Sequence, residues 1–126
     1  MRLKYSKMIG PKSKIFVAGH RGLVGSAILR ELKLKGYKNL LTISRKNLDL
    51  RNQDKVYKFL KKNKPKFIFL AAAKVGGILS NQNYPKDFIL TNTLIQTNLI
   101  DASFNNNVKR FLFIGSSCIY PKACKQ

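Results

Sequence analysis

Lys14-Ile15-Phe16-Val17-Ala18-Gly19-His20-Arg21-Gly22-Leu23-Val24-Gly25 is the stretch whose reading decides the fold. Residues 14–18 are a short apolar run that ends at a glycine, which suits a buried parallel strand. From Gly22 to about Lys35, apolar residues recur at Leu23, Val24, Ala27, Ile28 and Leu32, one face of a helix, and Gly36 stands at the usual C-terminal stop. The glycines between strand and helix have the spacing G-x-x-G-x-x-G, the order of a dinucleotide-binding turn. Gly19 permits the tight turn. Gly22 lets a pyrophosphate approach backbone N–H groups at the positive end of the helix dipole, and Gly25 lets the helix pack close to the sheet. The competing reading is a plain tight turn with no ligand.

The same alternation continues along the chain. Asn39–Ile43 reads as a second strand, and Arg51–Asn63 as a helix with Val56, Phe59 and Leu60 inward, stopped by Pro65. Residues 67–71 read as a third strand. Pro85 opens a long helix to about Asn106, carrying Phe88, Ile89, Leu94, Ile95, Leu99, Ile100 and Ala102. Residues 110–114 read as a fourth strand, ending at Gly115-Ser116-Ser117. Strands alternating with helices predict an α/β fold: an NAD(P)-binding, Rossmann-type parallel sheet with flanking helices, incomplete at about four strands. Residues 1–13 show no periodicity and read as a basic lead-in, disordered or loosely attached, before one domain portion over 14–126.

The 126 residues carry 25 Lys+Arg against 5 Asp+Glu, a net charge of +20. Such a chain attracts polyanions, so nucleic acid is a candidate partner. Its lysines, however, are scattered over every segment, with no aromatic residues interleaved for stacking. The reading is therefore solvated helix faces and turns and a small anionic ligand, with no specific nucleic acid. No apolar run is long enough to cross a bilayer, and the N-terminus lacks the apolar stretch of a signal peptide. A cytoplasmic chain is expected, with no membrane partner and no metal. Cys118 and Cys124 are too few for a disulfide framework and read as reduced thiols.

The end of the second strand discriminates between cofactors. NAD-binding domains place a carboxylate there for the ribose 2′-hydroxyl. Here the residues are Ser44-Arg45-Lys46, two cations and no acid, which favours the 2′-phosphate of NADP. Arg21 in the turn could reach the same phosphate, and Asp49 lies slightly too late to be the ribose carboxylate. Ordinary solvated charge is the alternative for Arg45 and Lys46.

Three ordered segments narrow the reading: 18–28 (AGHRGLVGSAI), 70–78 (LAAAKVGGI) and 115–122 (GSSCIYPK), with Tyr84-Pro85-Lys86-Asp87-Phe88 between the last two. Together they resemble the N-terminal part of the GDP-L-fucose synthase family, within the extended short-chain dehydrogenase/reductase superfamily. The resemblance implies an NADP(H)-dependent enzyme that epimerises a GDP-4-keto-6-deoxy sugar at C3 and C5 and reduces C4. It further implies that Gly19, Arg21, Gly22, Leu23, Val24, Gly25 and Arg45 hold NADP. Asp49 and Leu50 would lie by the adenine, and Ala71, Ala72 and Ala73 would line the cofactor past the third strand. Lys74, Val75 and Gly76 would border the nucleotide sugar. Ser116 would hydrogen-bond the 4-keto oxygen, and Cys118 would do acid/base work. Epimerisation beside a ketone needs such an acid/base pair, and hydride delivery needs a donor for the developing oxyanion. Helix 86–106 resembles one of the superfamily's two homodimer helices.

The superfamily's proton donor, a tyrosine in Tyr-x-x-x-Lys, is absent at the expected place. Tyr120 is followed four places on by Cys124 and Tyr84 by Phe88, while Tyr57-x-x-x-Lys61 lies on the second helix. The expectation is a truncated portion, inactive alone, with compromised dimerisation and an apolar edge at the fourth strand. The alternatives are a portion of another NAD(P)-dependent nucleotide-sugar epimerase or dehydratase, or a non-catalytic NADP- or nucleic-acid-binding module.

Overall fold

A computed structural model describes residues 9–116. The strands are β1 (Ile15–Ala18), β2 (Leu40–Leu41), β3 (Phe67–Leu70) and β4 (Arg110–Phe113). The helices are α1 (Leu23–Leu34), α2 (Gln53–Asn63), α3 (Ile78–Asn83) and α4 (Pro85–Asn105). All strand pairs are parallel, in the order β2-β1-β3-β4. β1 is buried along its whole length, as its unbroken apolar run requires of a central parallel strand.

The period of two along β1 divides the core. Phe16 and Ala18 join Ile68 and Leu70 of β3 under α2 and α4, with Val56, Leu60, Ile95, Leu99 and Ala102. Ile15 and Val17 face the other way, with Phe67 and with Leu32 of α1. Fully burying a side chain such as Ile15 or Leu60 contributes about 1.5–3 kcal/mol, so these two apolar layers hold the three-layer arrangement.

Several expectations are corrected. β2 is two residues long rather than Asn39–Ile43, because only Leu40 and Leu41 find partners, Ile15 and Phe16. The chain then bends away into a turn closed by the Asn47 and Leu48 N–H groups on the Ser44 carbonyl, both at 3.0 Å. α1 does not bury Leu23, Val24 or Ala27. Its packed face is Gly25, Ile28, Leu29 and Leu32, and Leu23 is 90% exposed because the first turn overhangs the end of the sheet. On α4, Asn98 and Ser103 are buried together with Phe88, Ile95, Leu99 and Ala102, while Ile89 and Ile100 are exposed. α3 lies in a stretch with no helical signal. It starts from Gly77, and the Asn81 side-chain amide donates to the Gly76 and Gly77 carbonyls, each at 3.0 Å.

The lead-in is fastened from Ile9 onward rather than loose. Ile9 packs beside the α1-side core, its carbonyl accepts from the Tyr37 hydroxyl at 3.3 Å, and Ser13 N–H closes a turn on the Gly10 carbonyl. Among the described residues β4 pairs on one side only, with β3, and its Leu112 and Phe113 are about half exposed.

Candidate functional site

From β1 the chain passes to β2 on one side, then returns across β1 to β3 on the other. The carboxyl ends of β1 and β3 are therefore neighbours from which the chain departs in opposite directions. Ligands of open α/β sheets bind at such a switch point. A cleft of about 360 Å³ opens there. Phe16 and Ala18 form its floor, Gly19–Gly22 one wall, Ser44–Lys46 and Leu48–Arg51 a second, and Ala71–Lys74 a third, with Thr91 and Ile95 of α4 behind.

The glycine turn is shaped by close backbone approach. Gly19 has φ +85°, and a Cβ there would stand 2.6 Å from the Ala72 nitrogen. The turn after β1 and the segment after β3 thus touch backbone to backbone. A Cβ at Gly25 would overlap the Gly19 carbonyl, so Gly25 packs α1 against the turn itself rather than against the sheet. Gly22 is the N-cap of α1 and provides no side-chain cap. The first intrahelical bond runs from Ser26 N–H to Gly22 carbonyl, which leaves the first-turn N–H groups of α1 without helical acceptors. Such a helix start is suited to an anion.

The second wall is cationic. Arg45 and Lys46 line it opposite Arg21. Its one carboxylate, Asp49, is already engaged: Arg51 grips both oxygens through Nε (3.0 and 3.1 Å) and Nη2 (2.6 Å), and Arg51 N–H adds a bond at 3.0 Å. The Arg51 side-chain hydrogen bonds, chiefly, hold the Asp49 carboxyl down at about 2 against the opposing desolvation, with the Arg51 N–H bond and the charges of Arg51 and Arg45 adding to the lowering. In the turn, His20 Nδ1 is buried with no hydrogen-bond partner among the described residues.

Two asparagines of α4 hold the loops that frame the cleft. Asn92 accepts from Lys74 N–H at 2.7 Å and donates to the Lys74 carbonyl at 3.0 Å. Buried Asn98 donates to the Leu50 carbonyl at 3.0 Å. The Lys74 side chain lies 3.1 Å from Asp87 and 5.0 Å above the Phe88 ring.

Residues 15–126 match the NAD dependent epimerase/dehydratase family. The chain belongs to that family. GDP-L-fucose synthase 1 of Arabidopsis thaliana is 53% identical to this family member over 121 residues, 96% of this chain and 38% of that protein. A solved GDP-mannoheptose C4 reductase from Campylobacter jejuni with NADP bound superposes with a TM-score of 0.89 at 43% identity, over 93% of this chain and 37% of that one. A GDP-L-fucose synthetase from Naegleria fowleri bound to NADP gives a TM-score of 0.81 at 27% identity, over 94% and 38%. The chain thus spans little more than a third of the length of the relatives it matches.

Of the residues expected to serve this family's site, Gly19, Arg21, Gly22, Arg45, Asp49, Leu50, Ala71, Ala72, Ala73 and Lys74 all line the cleft. Leu23, Val24 and Gly25 follow on α1 outside its lining, as do Val75, 83% exposed, and Gly76 beyond Lys74. Ser116 is exposed just beyond β4, and Cys118 lies outside the described residues. Sequence reasoning missed Arg51, Asn92, Asn98, Thr91 and Ile95. An Asp-x-Arg spacing before a helix signals the first. The α4 residues give no local sign, because their roles exist only once α4 crosses the cleft's back.

Proposed function

We propose that the cleft binds NADP(H) and that residues 14–126 are the N-terminal portion of a GDP-L-fucose synthase, which epimerises GDP-4-keto-6-deoxy-D-mannose at C3 and C5 and reduces C4. The observation that carries this reading is the cationic second wall, whose only acid is bound by Arg51. The donor set fits the cofactor. The first-turn N–H groups of α1 receive the pyrophosphate. Arg45, Lys46 and Arg21 receive the 2′-phosphate, and no available carboxylate selects a bare ribose. Asp49 and Leu50 flank the adenine, and the small side chains of Ala71–Ala73 allow close approach beyond β3.

NADPH, when bound, would supply the hydride for C4. Lys74, Val75 and Gly76 border the nucleotide sugar, with Lys74 Nζ available to its diphosphate once the exposed pair with Asp87 exchanges. Ser116 donates to the 4-keto oxygen, and Cys118 moves a proton at the epimerised carbons. The exposed stripe Ile89, Ile100 and Phe104 on α4 supports a homodimer through that helix. A cytoplasmic setting is part of the same proposal, and no helix among the described residues is long and apolar enough to cross a membrane.

Titration of the protein with NADPH and NADH tests the central claim. NADPH should bind at least about tenfold more tightly, the 1.4 kcal/mol that charge-assisted phosphate contacts readily supply. Arg45→Glu should erase the difference. Equal affinity of the unaltered protein for both cofactors overturns the NADP reading.

A further inference from the structure

The end of the sheet opposite the cleft carries a second feature. In the parallel register, Ile15, Phe67 and Arg110 are neighbours, so the residues just before them form a row: Lys14, Lys66 and Lys109. The ladder binds that row directly, Lys66 N–H to the Lys14 carbonyl at 2.8 Å and Lys109 N–H to the Lys66 carbonyl at 2.9 Å. Asn39 continues it next to β1, its carbonyl accepting from Ile15 N–H at 3.0 Å. Strands lie about 4.8 Å apart, so the row spans about 14 Å. Beside it runs an open groove of about 650 Å³ walled by the 10–14 turn and the 64–66 turn, which adds Lys12 and Lys64.

Like charges on adjacent strands are destabilising, so this arrangement calls for an offsetting partner. Part of it lies within the fold. α1, α2 and α4 run antiparallel to the strands and end on this side. Lys14 Nζ donates to the Asn63 carbonyl at the end of α2, 2.8 Å away. Each helix end carries about half a negative charge, so three offset about 1.5 of the five lysine charges. No carboxylate lines the groove. Of the five acids in the chain, Glu31, Asp49 and Asp87 are paired with Lys35, Arg51 and Lys74, and the salt bridges among the described residues include none of these five lysines.

We propose that this edge binds the sugar-phosphate backbone of a single-stranded nucleic acid, independently of sequence and of the cofactor cleft. Charge complementarity and shape select the partner. The groove is a concave, open depression walled by two turns, which suits a single flexible phosphate chain better than the plane of a bilayer. Without interleaved aromatic side chains, binding rests on phosphate contacts alone and releases counterions.

The test is fluorescence anisotropy with labelled oligouridylate of about 15 nucleotides, across about 50–200 mM salt. Lys12→Gln/Lys66→Gln/Lys109→Gln leaves the Lys14 bond to α2 intact. It should weaken binding by about 10- to 100-fold and flatten the logarithmic salt slope by about 2, the value for three single-strand phosphate contacts. The charge-matched control Lys55→Gln/Lys58→Gln/Lys86→Gln should stay within about threefold, and the Lys→Arg triple at the edge should bind as before. On the unaltered protein, bound oligonucleotide should protect Lys12, Lys66 and Lys109 from acetylation while Lys55, Lys58 and Lys86 react. That measurement decides the matter even if the edge triple fails to fold. Equal loss in both triples, uniform protection, absence of binding, or preference for phosphatidylserine vesicles over the oligonucleotide would each overturn the proposal.

Discussion

Asn92, in the middle of α4, grips Lys74 by both backbone groups, accepting its N–H at 2.7 Å and donating to its carbonyl at 3.0 Å. The contact spans 18 residues of sequence and imitates a strand pair where β3 has already ended. It fixes the third wall of the cleft from behind. Asn92→Leu keeps the branched shape and removes both bonds, leaving a partly buried donor and acceptor unmet. Urea unfolding should show a loss of about 1–3 kcal/mol with an unchanged slope. NADPH affinity should fall too, because Ala73 and Lys74 line the cleft. A stability loss with unaltered affinity would show that the clamp serves the fold alone.

The three glycines of the turn should respond differently to the same substitution. Gly25→Ala places a methyl group against the Gly19 carbonyl carbon and oxygen, inside backbone that cannot yield. A loss of about 3 kcal/mol is expected, at the upper end for overpacking. Gly19→Ala meets both the Ala71–Ala72 peptide and a φ of +85° and should be at least as damaging. At Gly22 the nearest atom to a new Cβ is 3.4 Å away. Gly22→Ala should therefore leave the melting temperature nearly unchanged yet weaken NADPH, since the methyl group occupies the approach to the helix start. Differential scanning calorimetry paired with cofactor titration separates the two classes.

The Asp49–Arg51 pair makes a pH prediction whose sign follows from its direction. Asp49 titrates at about 2, below its ordinary 3.8, chiefly because Arg51 hydrogen-bonds its charged form. Its contribution to stability is complete above the unfolded value and is lost as pH falls from about 4 toward 2. The side chains are 34% and 42% exposed, so solvent screens the pair and the contribution is modest. Acid unfolding of the native chain and of Arg51→Gln should differ at neutral pH and converge only as pH approaches about 2. At neutral pH the same variant releases a bare carboxylate into the cationic wall, and it should narrow the preference for NADPH over NADH. A constant stability gap at every pH would contradict the pairing.

If α4 forms a homodimer, its exposed stripe carries the contact. Phe104 is 84% exposed and Ile89 70%. Lysine at either position should leave the folded signal intact while shifting sedimentation toward the monomer. An unchanged sedimentation profile would remove α4 from the interface.

Much of the fold was legible in local signals. The strands at 15–18, 67–70 and 110–113 are largely apolar runs each preceded by a lysine, and the helices α2 and α4 start at Asn52 and Pro85 for local reasons. Asn52 accepts from Lys55 N–H, and proline loses nothing at a helix's first position. Misjudged faces lie where an element runs past its support. Leu23 and Val24 match the helical period of α1 but lie exposed in its first turn, beyond the packed face at Gly25, Ile28, Leu29 and Leu32. Periodicity reports that a residue could be buried, while the presence of a neighbour decides whether it is.

By itself, the sequence determined the alternation of strand and helix, the glycine turn and the basic character of the segment after β2, because each depends on residues adjacent in the chain. Only the tertiary structure decided what those parts do together. The crossover from β2 over β1 to β3 brings the glycine turn, the Arg45–Lys46 segment and Ala71–Ala73 around one cleft. α4 then pins two of those loops through Asn92 and Asn98, and the parallel register sets Lys14, Lys66 and Lys109 side by side at the far end. Hydrogen bonds and charge act over a few ångströms, so residues tens of positions apart acquire a shared role only when the sheet closes the distance.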